Sequence, residues 1–163
     1  MLKNNYKKII IYLFLVITIF SLDRISKLYI INLAEVNDLV NIYLTSFLNL
    51  YLIWNNGVAF GLLSLDQTLL YNIVTLIIAF INILILIMIF KYKDYRSFFL
   101  IMILGGSLGN LFDRIYYMAV PDFISLHHGD FNWFVFNVAD IFITIGVICL
   151  ILNELFVNKE IRE

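Results

Sequence analysis

The sequence predicts an all-α membrane protein. It would have four transmembrane helices with both termini cytoplasmic, a small extracytoplasmic β-sheet between helices one and two, and an extracytoplasmic loop between helices three and four. Three observations predict this. Hydrophobic residues make up 63% of the 163-residue chain and charged ones 14%, against about 45–50% and about 25% in soluble domains. Four segments are long and apolar enough for a hydrocarbon core that needs ~20 helical residues. The basic residues outside those segments cluster in alternate connections, as the positive-inside rule requires. Length predicts a single domain over residues 1–163.

The first span covers about 9–30 and follows Lys3, Lys7 and Lys8. That start superficially resembles a secretory signal. No small-residue cleavage pattern follows, however, and Asp23-Arg24 continues within the helix, so a retained span is expected. The stretch from about 33 to 65 is too polar in places to span and too long for a plain connector. Within it Asn49, Tyr51, Ile53 and Asn55 share one parity, opposite Leu48, Leu50, Leu52 and Trp54. Asn56-Gly57 then supplies a hairpin turn signal. Together these predict a small antiparallel sheet.

The second span, about 68–90, carries no charge; the third covers about 97–117 and the fourth about 133–153. Lys91, Lys93 and Arg96 lie between spans two and three, and Lys159 and Arg162 follow span four, whereas residues 28–67 and 115–134 contain no Lys or Arg. Those two stretches are therefore expected outside. Phe131, Trp133, Phe134 and Phe136 match an interfacial aromatic belt. A net charge of −1 offers no broad basic face for nucleic acid. The single cysteine, Cys149, excludes an internal disulfide and reads as a small hydrophobe in mid-helix.

Polar residues inside the apolar segments carry the functional reading. From Ile9 to Asp23 is fourteen residues and from Phe98 to Asp113 fifteen. At ~1.5 Å per residue both climb roughly 21–22 Å into a core about 30 Å thick. Read as helix, Phe134 to Asp140 descends about 9 Å from the opposite face. Three carboxylates thus share the outer third of the bilayer, with Lys27, Asn110, Arg114 and Asn137 nearby, and Asp122 can join from the outer loop. An ionisable group in hydrocarbon is expensive unless it faces a cavity or a partner, and it marks a functional site by default.

Most catalytic chemistries fail for want of residues. A zinc protease needs two helical histidines four apart with a glutamate between, but His127 and His128 are adjacent in a loop. Ser107 has no histidine in its own segment, and Cys149 lies far from the polar cluster. The run Gly105-Gly106-Ser107-Leu108-Gly109 reads instead as a helix-packing face. Paired carboxylates remain. Two close carboxylates cannot both ionise cheaply, so one holds a proton while the other activates water. Asp122 and Asp140 are the expected pair. Asn137, Asp140 and Thr144 are spaced to share one face of a helix, as are Asn110 and Arg114. Three alternatives stay open on spacing alone: Asp113 with Arg114 as an ion pair holding helices together, a carrier or proton pathway, and a non-catalytic assembly subunit.

At these residues the chain resembles the lipoprotein signal peptidases (type II signal peptidases), intramembrane aspartic proteases of bacteria. Four blocks carry the resemblance, in the family's order: Asp23-Arg24-Ile25-Ser26-Lys27; Asn55-Asn56-Gly57-Val58-Ala59-Phe60-Gly61; Gly105 to Arg114 with Asp122-Phe123 after it; and Phe136-Asn137-Val138-Ala139-Asp140. The resemblance implies that Asp122 and Asp140 are catalytic. It implies that Asp23, Lys27, Asn55, Gly57, Asn110, Asp113, Arg114, Asn137 and Ala139 shape or support the site. It further implies a diacylglyceryl-modified prolipoprotein substrate cut on the amino side of its lipidated Cys, contact with membrane lipid, and inhibition by globomycin. The location implied is the bacterial cytoplasmic (inner) membrane, with the site near the extracytoplasmic face and no metal or organic cofactor. Two positions depart from the pattern: Met118 stands where the family usually has Gly, and Pro121 where it has Val or Ile. Proline disfavours helix at Val120, so the approach to Asp122 is expected to be extended.

Overall fold

A computed structural model describes residues 2–37, 39–57, 67–92, 94–128 and 131–156, without the side chains of 2–5, 67, 132 and 133. The elements in order are α1 (Leu2–Asn37), β1 (Ile42–Tyr43), β2 (Leu48–Asn55), α2 (Gln67–Lys91), α3 (Arg96–Tyr117), β3 (Val120–His128), β4 (Phe131–Phe136) and α4 (Val138–Phe156). All four helices are long and apolar enough to cross a membrane. Their outward faces carry bare apolar side chains, with Phe14 67%, Leu76 69% and Phe80 60% exposed. A water-facing surface would not hold patches of that extent, whereas lipid solvates them.

The central helix is α3, which packs against each of the other three. Its small residues make this possible. A Cβ at Gly105 would come within 2.9 Å of Ile19 on α1, and one at Gly106 within 2.5 Å of the Ala139 carbonyl oxygen on α4. At Gly109 a Cβ would meet Asp23 Oδ2 at 2.4 Å. The glycine run is therefore a packing face on two sides, where backbones approach closely. Away from the sheet, Ile19, Ile85, Ile89, Leu100, Ile101 and Leu104 fill the core. Gly109→Ala is expected to cost about 1–3 kcal/mol of stability by overpacking, read as a lowered Tm, and to slow turnover by displacing Asp23.

The strands gather where α1 ends and α4 begins, in one antiparallel sheet of order β1-β2-β3-β4. Here two expectations are corrected. The connection after α3 is not a loop: β3 pairs with β2 through Asn49↔Ser125 and Asn55↔Val120, and with β4 through Ile124↔Phe136. The fourth helix starts at Val138 rather than near residue 133, because Phe131–Phe136 is strand. Pairing with the distant β2 made β3 a strand, and β3 in turn paired β4 in a local hairpin, which hydropathy alone could not decide. A register shift between Leu50 and Ile53 also interrupts the simple alternation along β2. On one side the sheet packs Phe123 against Ile30 and Val40, which ties it to the end of α1.

Val120-Pro121-Asp122 is extended, as proline at that position requires. Met118 ends α3 in the left-handed conformation, with φ 58°, a helix stop that glycine adopts at no steric cost. Gly57 closes β2 with φ 67°. The return strand of the expected hairpin, and with it Val58-Ala59-Phe60-Gly61, lies outside the described residues, as do Lys93, Lys159 and Arg162.

Candidate active site

The site is organised by the start of α4. Asn137 immediately precedes the helix, and its Oδ1 accepts the Asp140 backbone N–H at 3.1 Å. In return Asp140 Oδ2 accepts the Asn137 backbone N–H at 3.1 Å. This is a reciprocal capping box, which satisfies two amides that a helix start would otherwise orphan. Asn137 is thus a cap rather than a member of the helix face expected from its spacing. The pattern Asn-x-x-Asp ahead of an apolar run was the sequence signal for that boundary.

With its oxygen engaged in the cap, the Asn137 amide can turn only its nitrogen outward. Nδ2 donates to Asp122 Oδ1 at 2.6 Å. The second Asp122 oxygen accepts Asn55 Nδ2 at 2.9 Å, and Asn55 Oδ1 accepts the Gly57 N–H at 2.7 Å. Asp140 Oδ1 accepts Asn110 Nδ2 at 2.8 Å. One asparagine therefore ties together a strand carboxylate and a helix carboxylate. Beside them a cavity of about 400 Å³ is lined by Ile53, Trp54, Asn55, Asn56, Gly57, Asp122 and Val135.

Beneath the pair, Lys27 is fully buried. Its ammonium donates to Asp23 Oδ2 at 2.8 Å, Asp113 Oδ2 at 2.7 Å and Asn110 Oδ1 at 2.8 Å, so all three N–H groups are used. Asp23 Oδ1 accepts the Ala139 N–H at 2.9 Å, anchoring the first turn of α4 to α1. Arg24 Nη1 donates to Asp113 Oδ1. The pairing of Asp113 with Arg114, left open by spacing, is not among the ion pairs of the described residues, where Asp113 pairs with Arg24 and Lys27. Adjacent helical residues point about 100° apart, so Asp113 faces α1 while Arg114 faces elsewhere.

Arg114 lies under the turn after β2, where a Cβ on Gly57 would come within 2.5 Å of its Nη2. Its guanidinium carbon sits 5.5 Å from the centre of the Tyr71 ring, and Tyr71 OH donates to the Arg114 carbonyl at 2.9 Å. Asn110 and Arg114 thus serve different ends of one network despite their shared spacing. All eleven residues singled out in the sequence meet in this network. Tyr71 and Arg24 join them without having been singled out; no spacing marks Tyr71.

Burial pushes the Asp122 carboxyl above its ordinary value, and the neighbouring Asp140 charge pushes the same way. The Asn55 and Asn137 amides and the Lys27 charge act in the opposite sense without cancelling it. Asp140 stands in the first turn of α4, where the positive end of the helix dipole faces its carboxylate. Two neighbouring carboxyl groups in unlike surroundings are an arrangement suited to acid–base chemistry.

Comparison with known proteins gives the family. Residues 15–156 match the family described as signal peptidase (SPase) II. A lipoprotein signal peptidase of Pelagibacter ubique (strain HTCC1062) is 54% identical over 158 residues, covering 97% of this chain and 95% of that protein. One of Aquifex aeolicus (strain VF5) is 40% identical over 162 residues, covering 94% and 90%. A bacterial membrane enzyme solved by the in meso method superposes with a TM-score of 0.68 at 27% identity, over 93% of this chain and 91% of that one. The chain therefore belongs to the signal peptidase II family, the lipoprotein signal peptidases.

Proposed function

We propose that this chain is an aspartic endopeptidase that removes the signal peptide from diacylglyceryl-modified prolipoproteins, cutting on the amino side of the lipidated Cys. The observation that carries the reading is the sharing of Asn137 by Asp122 and Asp140 beside an open cavity. Burial favours the protonated form of Asp122, which makes it the acid that hydrogen-bonds the scissile carbonyl oxygen. Asp140 is the base. It takes a proton from water as the hydroxyl attacks the carbonyl carbon, while the carbonyl oxygen receives the Asp122 proton. Collapse of the tetrahedral intermediate returns that proton to Asp122, the C–N bond breaks, and the departing amine leaves with the proton held by Asp140.

Asp23, Lys27, Asn110, Asp113, Asn137 and Ala139 hold the pair in place. Asn55, Gly57 and Arg114 border the peptide path. The four spans form one integral domain in the bacterial inner membrane with both termini cytoplasmic, since the basic residues flank those ends. That orientation puts the sheet and the cavity at the extracytoplasmic face, within reach of water from outside and of a lipidated substrate entering from the bilayer. Globomycin would compete for the same cavity.

Two measurements test the reading. Purified protein is expected to cleave diacylated prolipoprotein in preference to the unmodified form, and turnover of neither would reject it. Asn137→Ser keeps a side-chain oxygen for the cap while deleting the amide donor to Asp122. Turnover is expected to fall about 10- to 100-fold with little change in Tm, whereas Asn137→Ala also loses the cap, which costs about 1 kcal/mol. Equal loss of stability in both variants would make Asn137 a scaffold only.

A further inference from the structure

Arg24 joins the buried network through Asp113 and takes part in neither the capping box nor the cavity beside it. Its side chain is 13% exposed. The guanidinium carbon lies 5.0 Å from the centre of the Phe112 ring and 5.6 Å from that of Tyr117, and Nη1 donates to Asp113. Nε and Nη2 are buried without a hydrogen-bond partner among the described residues. As a structural clamp this is poor, because a desolvated cation with five donors makes one ion pair. As a source of charge it is well placed. Arg24 and Lys27 together balance Asp23 and Asp113, so the cluster is neutral as a whole.

That balance matters because of what the cluster touches. Lys27 donates to Asn110, and Asn110 donates to Asp140. Aromatic and apolar surroundings keep the local dielectric low, so a net charge in the cluster is felt by the carboxylates above it. We propose that Arg24 is a positioning residue that keeps the buried cluster neutral and thereby sets the pH at which the Asp122–Asp140 pair works. The inference rests on the aspartic reading above.

Among the described residues Lys27 acts on Asp122 by its charge. The other charged or titratable groups near it on the packed helices are Asp23 and Arg24 on α1, Asp113 and Arg114 on α3, and Tyr71 on α2, whose hydroxyl is turned to the Arg114 carbonyl. Each member of the pair faces the other across β3 and α4. The strands β1, β2 and β4 bring no side chain that is charged at neutral pH, and His127 and His128 stand at the far end of β3, opposite Asn132 and Phe131.

The signs follow directly. Arg24→Gln leaves the cluster one negative charge in excess, which disfavours ionisation of the pair and moves both limbs of the pH–rate profile up. Asp113→Asn leaves it one positive charge in excess and moves them down. A unit charge about 10 Å away at an effective dielectric of about 20 moves a pKa by about one unit, so each shift is expected to be about one pH unit. The double variant, neutral again, is expected to return the profile to its wild-type position at a reduced rate. Arg24→Lys keeps the charge but loses the planar stack on the rings, so its rate falls without a shift.

The experiment is kcat against pH on diacylated prolipoprotein for these four variants. Opposite shifts in the single variants, cancelled in the double, support the proposal. A uniform loss of rate with no shift in either, or shifts of the same sign, overturns it. Should Arg24→Gln fail to fold, the downward shift of Asp113→Asn decides alone. Failure here differs from failure of the aspartic reading, which would appear as persistent activity in Asp122→Asn.

Discussion

Asp122→Asn and Asp140→Asn, made singly, are each expected to reduce release of the signal peptide by at least about 10³-fold while the protein stays inserted and folded. Each variant removes either the acid or the base, and a positioned acid–base group is worth about 10²–10⁴ in rate. The fold should survive because an asparagine at 140 can still accept the Asn137 backbone N–H through its side-chain oxygen, preserving half of the capping box. Turnover in either purified single variant would remove the pair from the mechanism.

The Asp122 variant carries a second, independent signature in stability. Burial raises the Asp122 carboxyl above its ordinary 3.8, so the folded protein holds this proton more tightly than the unfolded chain does. The sign then follows from linkage: the group contributes stability that is present at low pH and lost as pH rises from about 3.8 through its elevated folded value. Wild-type protein should therefore lose Tm across that window, and Asp122→Asn should lose less. Identical Tm-versus-pH curves would mean that folding does not raise the Asp122 carboxyl above its unfolded value.

Lys27→Met is expected to be the most destabilising substitution in the chain, at about 3–5 kcal/mol, with loss of activity in whatever remains folded. Methionine conserves the volume but leaves Asp23 and Asp113 buried and without that cation. Removing one partner of a buried ion pair is far costlier than never having built it. Adding Asp113→Asn to Lys27→Met should recover part of the stability, since Arg24 and Asp23 then balance. Thermal unfolding in detergent measures both. A loss within about 0.5 kcal/mol of wild type, the range of ordinary surface substitutions, would mean that Lys27 carries little of the fold.

The two predictions draw on different layers of the sequence. Asp23 and Lys27 were legible because polar groups in an apolar run are conspicuous, and their i, i+4 spacing places them on one helix face. The glycine run of α3 was legible for a similar reason, since its only use in a helix is close approach. Asp122 was harder. As a residue outside the spans it entered only as the expected partner of Asp140, the same pair that the family resemblance implies. The partner of Asp113 was left open, because adjacency in the chain allows a pair with Arg114 while helix geometry turns the two apart.

The boundary of α4 shows the limit most clearly. From Phe131 through Leu152 polar residues are few, and only the Asn137–Asp140 cap marks where strand gives way to helix. The apolar residues before it satisfy strand and span equally well, so the decision fell to β3, which offers them a partner.

By itself the sequence determined the four spans, their separation by charge, and which polar groups had to find company in an apolar setting. Those follow from the energetics of single segments against water and lipid, which local composition records. Only the tertiary structure decided who that company is: Arg24 for Asp113, Asn137 between two carboxylates, and Asp23 on the first turn of α4. The first and last of these join residues dozens of positions apart, Asn137 joins a strand to a helix start, and the geometry of all three exists only once the helices have packed and the sheet has formed.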